Sequence, residues 1–215
     1  MDIKYLGHSS FKLSSKSISV ITDPFDNSIG IKFPSESATI VTVSHQHSDH
    51  NNSDAVKDVK KIVSGPGEYE IEGVSIIGLA SYHDDKKGEE RGTNTIYVYE
   101  MEELRLAHLG DIGHKLSEKQ VEELGDIDIL MLPVGGTYTI DAKTAVEVVQ
   151  SIEPEIIIPM HYNSPELDQK TFGELTDVDR FTKELGVKVV EEKKYSVKST
   201  DMTDEDQTVV VLTRS

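Results

Sequence analysis

Three histidines and an aspartate fall within six residues in the run His45-Gln46-His47-Ser48-Asp49-His50. Neutral imidazole nitrogen and carboxylate oxygen are the donors that zinc and its first-row neighbours take as ligands. The run follows Ala38-Thr39-Ile40-Val41-Thr42-Val43, which is rich in β-branched residues and ends at Ser44. That reads as a buried strand opening directly into the cluster. His45 and His47 are two apart, so extended backbone leans both imidazoles to one side, and a turn brings Asp49 and His50 toward the same point or a neighbouring one. A polar loop at a strand end accounts for one or two histidines. Three histidines and a carboxylate point to a metal centre.

The same placement recurs along the chain. His83 follows the apolar run 74–79, Asp111 follows 104–109 and a glycine, and His161 follows Ile156-Ile157-Ile158-Pro159-Met160. With His45, His47, Asp49 and His50 these make seven candidate ligands, including five of the chain's eight histidines, each at or just past a strand end. Seven donors exceed one tetrahedral ion and suit two ions sharing a carboxylate, for which Asp111 between its glycines is the candidate. Other residues carry two readings. His8 either lines the site or is a turn histidine bonded to backbone, and Asp23 either orients a ligand histidine or caps the turn made by Pro24. Arg91 is a candidate anion clamp on the loop 84–92, which is either a substrate rim or solvated punctuation.

The elements that must position these groups follow from periodicity. Short β-like runs at 3–6, 11–13 and 18–22 predict an antiparallel N-terminal meander. Ser53-Asp54 caps a short helix through Val59, followed by strands at 61–63, 69–71, 74–79, 95–99 and 104–109. The pattern then changes to helix–strand alternation, which favours layered α/β packing. Ser117 and Gln120 form a capping box for a helix to Leu124, a continuous apolar strand covers 127–134, and Asp141 caps a helix through Ser151. A long polar loop at 162–175 precedes a helix over 177–185 and strands near 187–190 and 209–213, with 198–207 charged and expected to be mobile. One domain over 1–215 is expected, since no repeat or linker interrupts the pattern.

Composition narrows the chemistry. The 215 residues contain no cysteine, which excludes disulfides and thiolate ligands or nucleophiles. No apolar run is long enough for a bilayer and the first residues lack a signal-peptide pattern, so a soluble, cytoplasmic protein without a membrane partner is expected. Lys and Arg total 22 against 39 Asp and Glu, a formal charge of −17 that argues against a nucleic-acid partner.

The H-x-H-x-D-H string, His83 after a strand, Gly110-Asp111 and Pro159-Met160-His161-Tyr162, in this order, resemble the metallo-β-lactamase fold superfamily. Gly7-His8-Ser9-Ser10, Thr22-Asp23-Pro24 and the Pro-Met-His-Tyr-Asn stretch are similar, more narrowly, to its ascorbate-6-phosphate-lactonase-like branch of metal-dependent hydrolases. The likeness runs essentially the whole chain and is more specific for fold and metal site than for substrate. It implies an α/β fold, an αβ/βα four-layer sandwich with two sheets face to face, helices outside and a dinuclear site along one edge. It further implies that His45, His47 and His83 hold one ion, Asp49, His50 and His161 the other, and that Asp111 bridges them. Zinc is the first expectation for both ions, with manganese, iron and nickel as alternatives.

Two such ions roughly 3.5–4 Å apart lower the pKa of a shared water toward about 7, giving hydroxide at neutral pH. Asp49, the carboxylate nearest the nucleophile, would orient it or shuttle its proton, and His108 or His114 would protonate the leaving group. The expected function is therefore hydrolysis of a small cytoplasmic ester, lactone or phosphoester. A phosphodiesterase or nuclease acting on nucleotides or RNA, and a non-hydrolytic metal-binding sensor or redox module, are the alternatives.

Overall fold

A computed structural model describes all residues except Ser17, Asp204, Glu205 and Ser215. Strands β1 (Asp2–Gly7), β2 (Ser10–Ser14), β3 (Ser19–Thr22), β4 (Ile40–Val43) and β5 (Lys61–Ser64) lie side by side in chain order. The first three run antiparallel, as the short polar turns between them require, and β3–β4–β5 are parallel. A second sheet begins with β6 (Gly67–Ile71), β7 (Val74–Tyr82), β8 (Thr93–Met101) and β9 (Leu104–His108), which are antiparallel neighbours. It continues through β10 (Ile129–Pro133) and β11 (Ile156–Met160), both parallel to β9. The far edge is formed by β12 (Lys188–Glu192) beside β14 (Thr208–Leu212), while the short β13 (Tyr195–Ser196) returns to pair with β1. The segment 198–207, expected to be mobile, lies in part outside the described residues; within it Ser199–Asp201 form a 3-10 turn.

The alternation of side chains along the strands decides how the layers stack. Ile40 and Ile129 face the core between the sheets together with Val20, Tyr99 and Met131. Their neighbours Val41 and Leu130 face outward into separate apolar clusters, so these strands are buried on both faces and read as continuous apolar runs. The outer face of the second sheet is covered by α1 (Glu118–Leu124), α2 (Ala142–Ile152) and, beyond the single turn of α3 (Gln169–Phe172), by α4 (Val178–Leu185). The capping box of α1 is formed as its sequence predicts, with the Ser117 and Gln120 side chains each bonded to the other's backbone. Asp141 and Asp177 cap α2 and α4.

The outer face of the first sheet has a thinner cover. Phe25, Ile29, Phe33, Val56, Leu167 and Phe172 pack there from irregular chain, 3-10 turns and α3. The helix expected from Ser53 to Val59 is reduced to a 3-10 turn, Ser53–Ala55. Its cap residue Asn52 makes no side-chain capping bond, and the chain beyond is drawn out because Lys57 pairs its backbone with Glu36 and Ala38. The α/β sandwich itself is as the resemblance implies. Two tyrosines tie its halves together under the site: Tyr99 and Thr42 share a hydrogen bond of 2.7 Å, and the Tyr97 hydroxyl donates to the Val43 carbonyl at 3.0 Å. These buried links set the height at which β4 ends.

Candidate metal centre

Five strand ends meet along one edge of the sandwich. Ser44-His45 leaves β4, Asp23 leaves β3, His83 leaves β7, Asp111 follows β9 and His161 leaves β11. One oxygen, Oδ2 of Asp111, lies 3.1 Å from Nε2 of His161, 3.2 Å from that of His50, 3.3 Å from that of His83 and 3.9 Å from that of His45. Nδ1 of His47 lies 3.1 Å from Nε2 of His45. All of these residues are buried except His47, which is exposed, and Asp49, which is partly so.

The donors fall into two groups, each with atoms within 4.8 Å of one another: His45, His47 and His83, and His8, Asp49, His50 and His161. The seven residues expected from sequence are thus all brought together, with Asp111 among the rings. His8 is the addition. Its Nε2–H donates to Asp49 Oδ2 at 3.2 Å, and its ring packs 4.2 Å from that of His161, centroid to centroid. The His8 carbonyl also accepts the His161 N–H at 3.0 Å, so the turn between β1 and β2 is fastened to the end of β11. His8, Asp23 and His161 all have left-handed backbone, with φ of 56°, 39° and 51°. Such strain in three non-glycine residues persists where surrounding structure over-determines it, and it clusters at functional sites.

Behind the donors stands Asp23, which also groups spatially with His45 and His50. Its Oδ2 accepts Nδ1–H of His50 at 2.9 Å and the Ser44 hydroxyl at 2.5 Å, and its Oδ1 accepts the Ser44 N–H at 2.8 Å. With its hydroxyl proton committed to Asp23, Ser44 Oγ accepts Nδ1–H of His45 at 2.9 Å. Both rings therefore hold a proton on Nδ1 and direct Nε2 toward Asp111, so Nε2 is the nitrogen left for a metal ion. Asp111 is positioned in turn by Asn94, whose Oδ1 accepts its backbone N–H at 3.0 Å.

The electrostatics call for positive charge. Burial works against the ionised form of Asp111, yet His161 and His50 hold its carboxyl well below the usual range. Asp49 and Asp23 are likewise lowered against burial, chiefly by His50. Burial opposes a charge on His50, but Asp111 and Asp49 outweigh it and raise its pKa well above 6.5. Burial lowers His45 to about 3 and His8 to about 4, so both are neutral at pH 7 and able to donate a lone pair. Among the described residues, the buried His50 Nε2 and Asp111 Oδ1 have no hydrogen-bond partner. A set of imidazole nitrogens and carboxylate oxygens with unsatisfied atoms at its centre fits divalent cations.

Two expected participants are corrected by their partners. Nε2–H of His108 donates to the Ser9 carbonyl at 2.8 Å, and its Nδ1 accepts the Gly110 N–H at 3.2 Å. His114 accepts the Tyr82 N–H at 3.2 Å on Nε2 and donates from Nδ1 to the Lys115 carbonyl at 2.9 Å. Both imidazoles have their two nitrogens engaged with backbone, which leaves neither placed to protonate a leaving group.

A cavity of ≈ 180 Å³ adjoins the donors, lined by His47, Asp49, His83, Asp111 and His161 together with Arg91, Tyr138, Thr171 and Phe172. An adjoining cavity of ≈ 510 Å³ shares His47 and Arg91 with it. No helix among the described residues is long and apolar enough to cross a membrane.

Residues 2–161 match the family described as the beta-lactamase superfamily domain. A UPF0173 metal-dependent hydrolase of Methanopyrus kandleri is 30% identical over an alignment covering 88% of this chain and 94% of that protein. A solved structure from Thermotoga maritima, provisionally described as a Zn-dependent hydrolase of the metallo-β-lactamase superfamily, is 35% identical and covers 98% of this chain and 97% of its own, with a TM-score of 0.77. The diiron β-hydroxylase CmlA of Streptomyces venezuelae shares the fold alone: 12% identity and a TM-score of 0.64 over 98% of this chain and 52% of that one.

Proposed function

The chain belongs to the metallo-β-lactamase superfamily and to its metal-dependent hydrolases, and from that premise we propose that it opens a small ester, lactone or phosphoester at a centre of two divalent ions. The observation that carries this reading is the convergence of four Nε2 atoms on Asp111 Oδ2, within 3.1–3.9 Å, flanked by two groups of donors. His45, His47 and His83 would hold one ion and Asp49, His50 and His161 the other, with Asp111 between them. Ions bound there would supply Lewis acidity and lower the pKa of water toward about 7.

The remaining work belongs to the chain's own side chains. Asp49 is held ionised by His50 and His8 against the effect of burial. A carboxylate this acidic is a weak base but a firm hydrogen-bond acceptor, suited to orienting the attacking water. His8 donates to Asp49 Oδ2 and fixes that orientation, while Asp23 fixes the rings of His45 and His50. Phe172, edge-on to His8 at 5.1 Å between centroids, keeps an apolar wall against the site. A cavity of ≈ 180 Å³ and a chain charge of −17 both favour a small molecule over a polynucleotide.

The test is metal content per chain together with a hydrolysis screen on nitrophenyl phosphodiesters, simple lactones and a short RNA. Wild-type protein is expected to carry about two metals per chain and to turn over one small-molecule class, and Asp111→Ala to lose metal and turnover together. An Asp111→Ala protein that keeps both metals would overturn the bridging role.

A further inference from the structure

The loop between β7 and β8 is built around one carboxylate. Asp84, itself buried, accepts the backbone N–H groups of Lys86 at 2.9 Å and Gly88 at 2.7 Å on Oδ1, and those of Glu90 at 3.0 Å and Arg91 at 2.7 Å on Oδ2. Four bonds from one side chain close the loop into a rigid turn whose last anchored residue is Arg91. The Arg91 guanidinium sits 5.1 Å above the ring of Tyr138, a cation–π contact that orients it. Tyr138 is fixed in turn, because its hydroxyl donates to the Thr171 carbonyl at 2.8 Å and its ring meets Phe172 edge-on. Both ends of the arginine are therefore held before any substrate arrives.

Its surroundings give this arrangement a purpose. Arg91 lines the ≈ 180 Å³ cavity over the candidate donors and also the ≈ 510 Å³ cavity beside it. The chain carries 39 acidic residues against 22 basic ones, yet among the described residues no carboxylate pairs with the Arg91 guanidinium. A cation left without a partner in so acidic a protein, and oriented by stacking at the junction of two cavities, presents its five N–H donors to whatever occupies them. We propose that Arg91 clamps a carboxylate or phosphate group on the substrate, so that this enzyme acts on small anion-bearing esters or lactones whose scissile bond lies at the metal centre. This rests on the hydrolytic reading above and names its substrate class.

Binding and turnover test it separately. Zinc-loaded wild type, Arg91→Gln and Arg91→Lys, checked for equal metal content and melting temperature, are titrated calorimetrically with butyrate and with dicarboxylates from succinate to adipate. A parallel series carries a terminal phosphate in place of the second carboxylate. In wild type the best dianion of one series binds roughly tenfold or more tighter than butyrate, as a charge-assisted bidentate contact would give. Arg91→Gln abolishes that preference, and Arg91→Lys, keeping the charge but not the fork, retains part of it. The series that shows the preference distinguishes carboxylate from phosphate. Nitrophenyl esters of the same acids then report kcat/KM: Arg91→Gln lowers it through KM, and by a roughly tenfold larger factor for the anionic ester than for the neutral one. A preference that is absent in wild type, or the same in Arg91→Gln, overturns the clamp even if esters are hydrolysed. An Arg91-dependent preference without hydrolysis of any ester, lactone or phosphoester supports the clamp and overturns the hydrolytic reading instead.

Discussion

Asp23 reaches neither cavity described at the site, yet two candidate ligands take their orientation from it. It accepts from His50, from the Ser44 backbone and from the Ser44 hydroxyl that supports His45. In Asp23→Asn one acceptor oxygen becomes an N–H donor, so at least one of those three donors loses its partner and both rings lose the charge behind them. Metal affinity is expected to fall roughly 10–100-fold, measured by competition with a chelator, while the protein still folds. Unchanged affinity would remove Asp23 from this role. Residue type and position at strand exits were enough to pick out seven groups that the fold brings together, because side chains released at neighbouring strand ends meet along one edge of the sandwich. Orientation was not legible in that way. His8 and Asp23 each carried two readings, since the left-handed turns that aim them leave no mark in residue type beyond an adjacent glycine or proline. His108 and His114 flank Asp111 in the chain, but the backbone groups beside them had already taken both nitrogens of each ring.

At the scale of elements, the site depends on segments that come closer than side chains allow. The segment after Asp111 passes beneath the start of the 84–92 loop at Gly113, whose N–H donates to the Tyr82 carbonyl at 3.0 Å. A Cβ placed there would stand 2.4 Å from the Asp84 nitrogen and 2.4 Å from the carbonyl carbon and oxygen of His83. Those are backbone atoms and cannot swing aside, so Gly113→Ala must push His83 and the turn held by Asp84 away from Asp111. The expected result is a loss of about 1–3 kcal/mol in urea unfolding and weaker metal binding by the group that contains His83. Native stability with unchanged metal affinity would show that the two segments slide past one another freely. Strands and capped helices were legible because alternation and capping residues are local signals. The expected helix after Ser53 failed for a non-local reason: Lys57 pairs with Glu36 and Ala38, and that pairing draws the chain out whatever its capping residues prefer. The loop 84–92 carries both readings, rim and punctuation, because the four bonds that Asp84 makes to its backbone leave no mark in residue type.

For the molecule as a whole, burying this many ionisable groups couples folding to pH, and the metal-free protein is where that coupling is simplest. His8 and His45 are held at about 4 and about 3 in the fold, against 6.5 in the open chain. Burial is the main cause in both, and His47 is lowered in the same direction. Below pH 6.5 the unfolded chain gains protons that the folded one refuses, so stability falls as pH drops from 6.5 toward 4. His50 runs the other way: its folded pKa is raised, so its contribution is complete below the unfolded value and adds no slope in that interval. Asp23, Asp49 and Asp111 are depressed, and their stabilisation is lost only as pH falls into and below the ordinary carboxylate range. Between pH 6 and pH 4.5 the buried neutral histidines therefore govern the slope. Chelator-treated protein is expected to lose on the order of 2 kcal/mol through His8 alone between pH 7 and pH 5. His8→Gln, which keeps a donor for Asp49 but cannot titrate, should flatten the profile by that amount in urea unfolding at stepped pH. An equal slope in the two proteins, or stability that rises on acidification, would mean that the His8 ring takes up its proton inside the fold. It would then be a charged partner of Asp49 rather than a neutral donor.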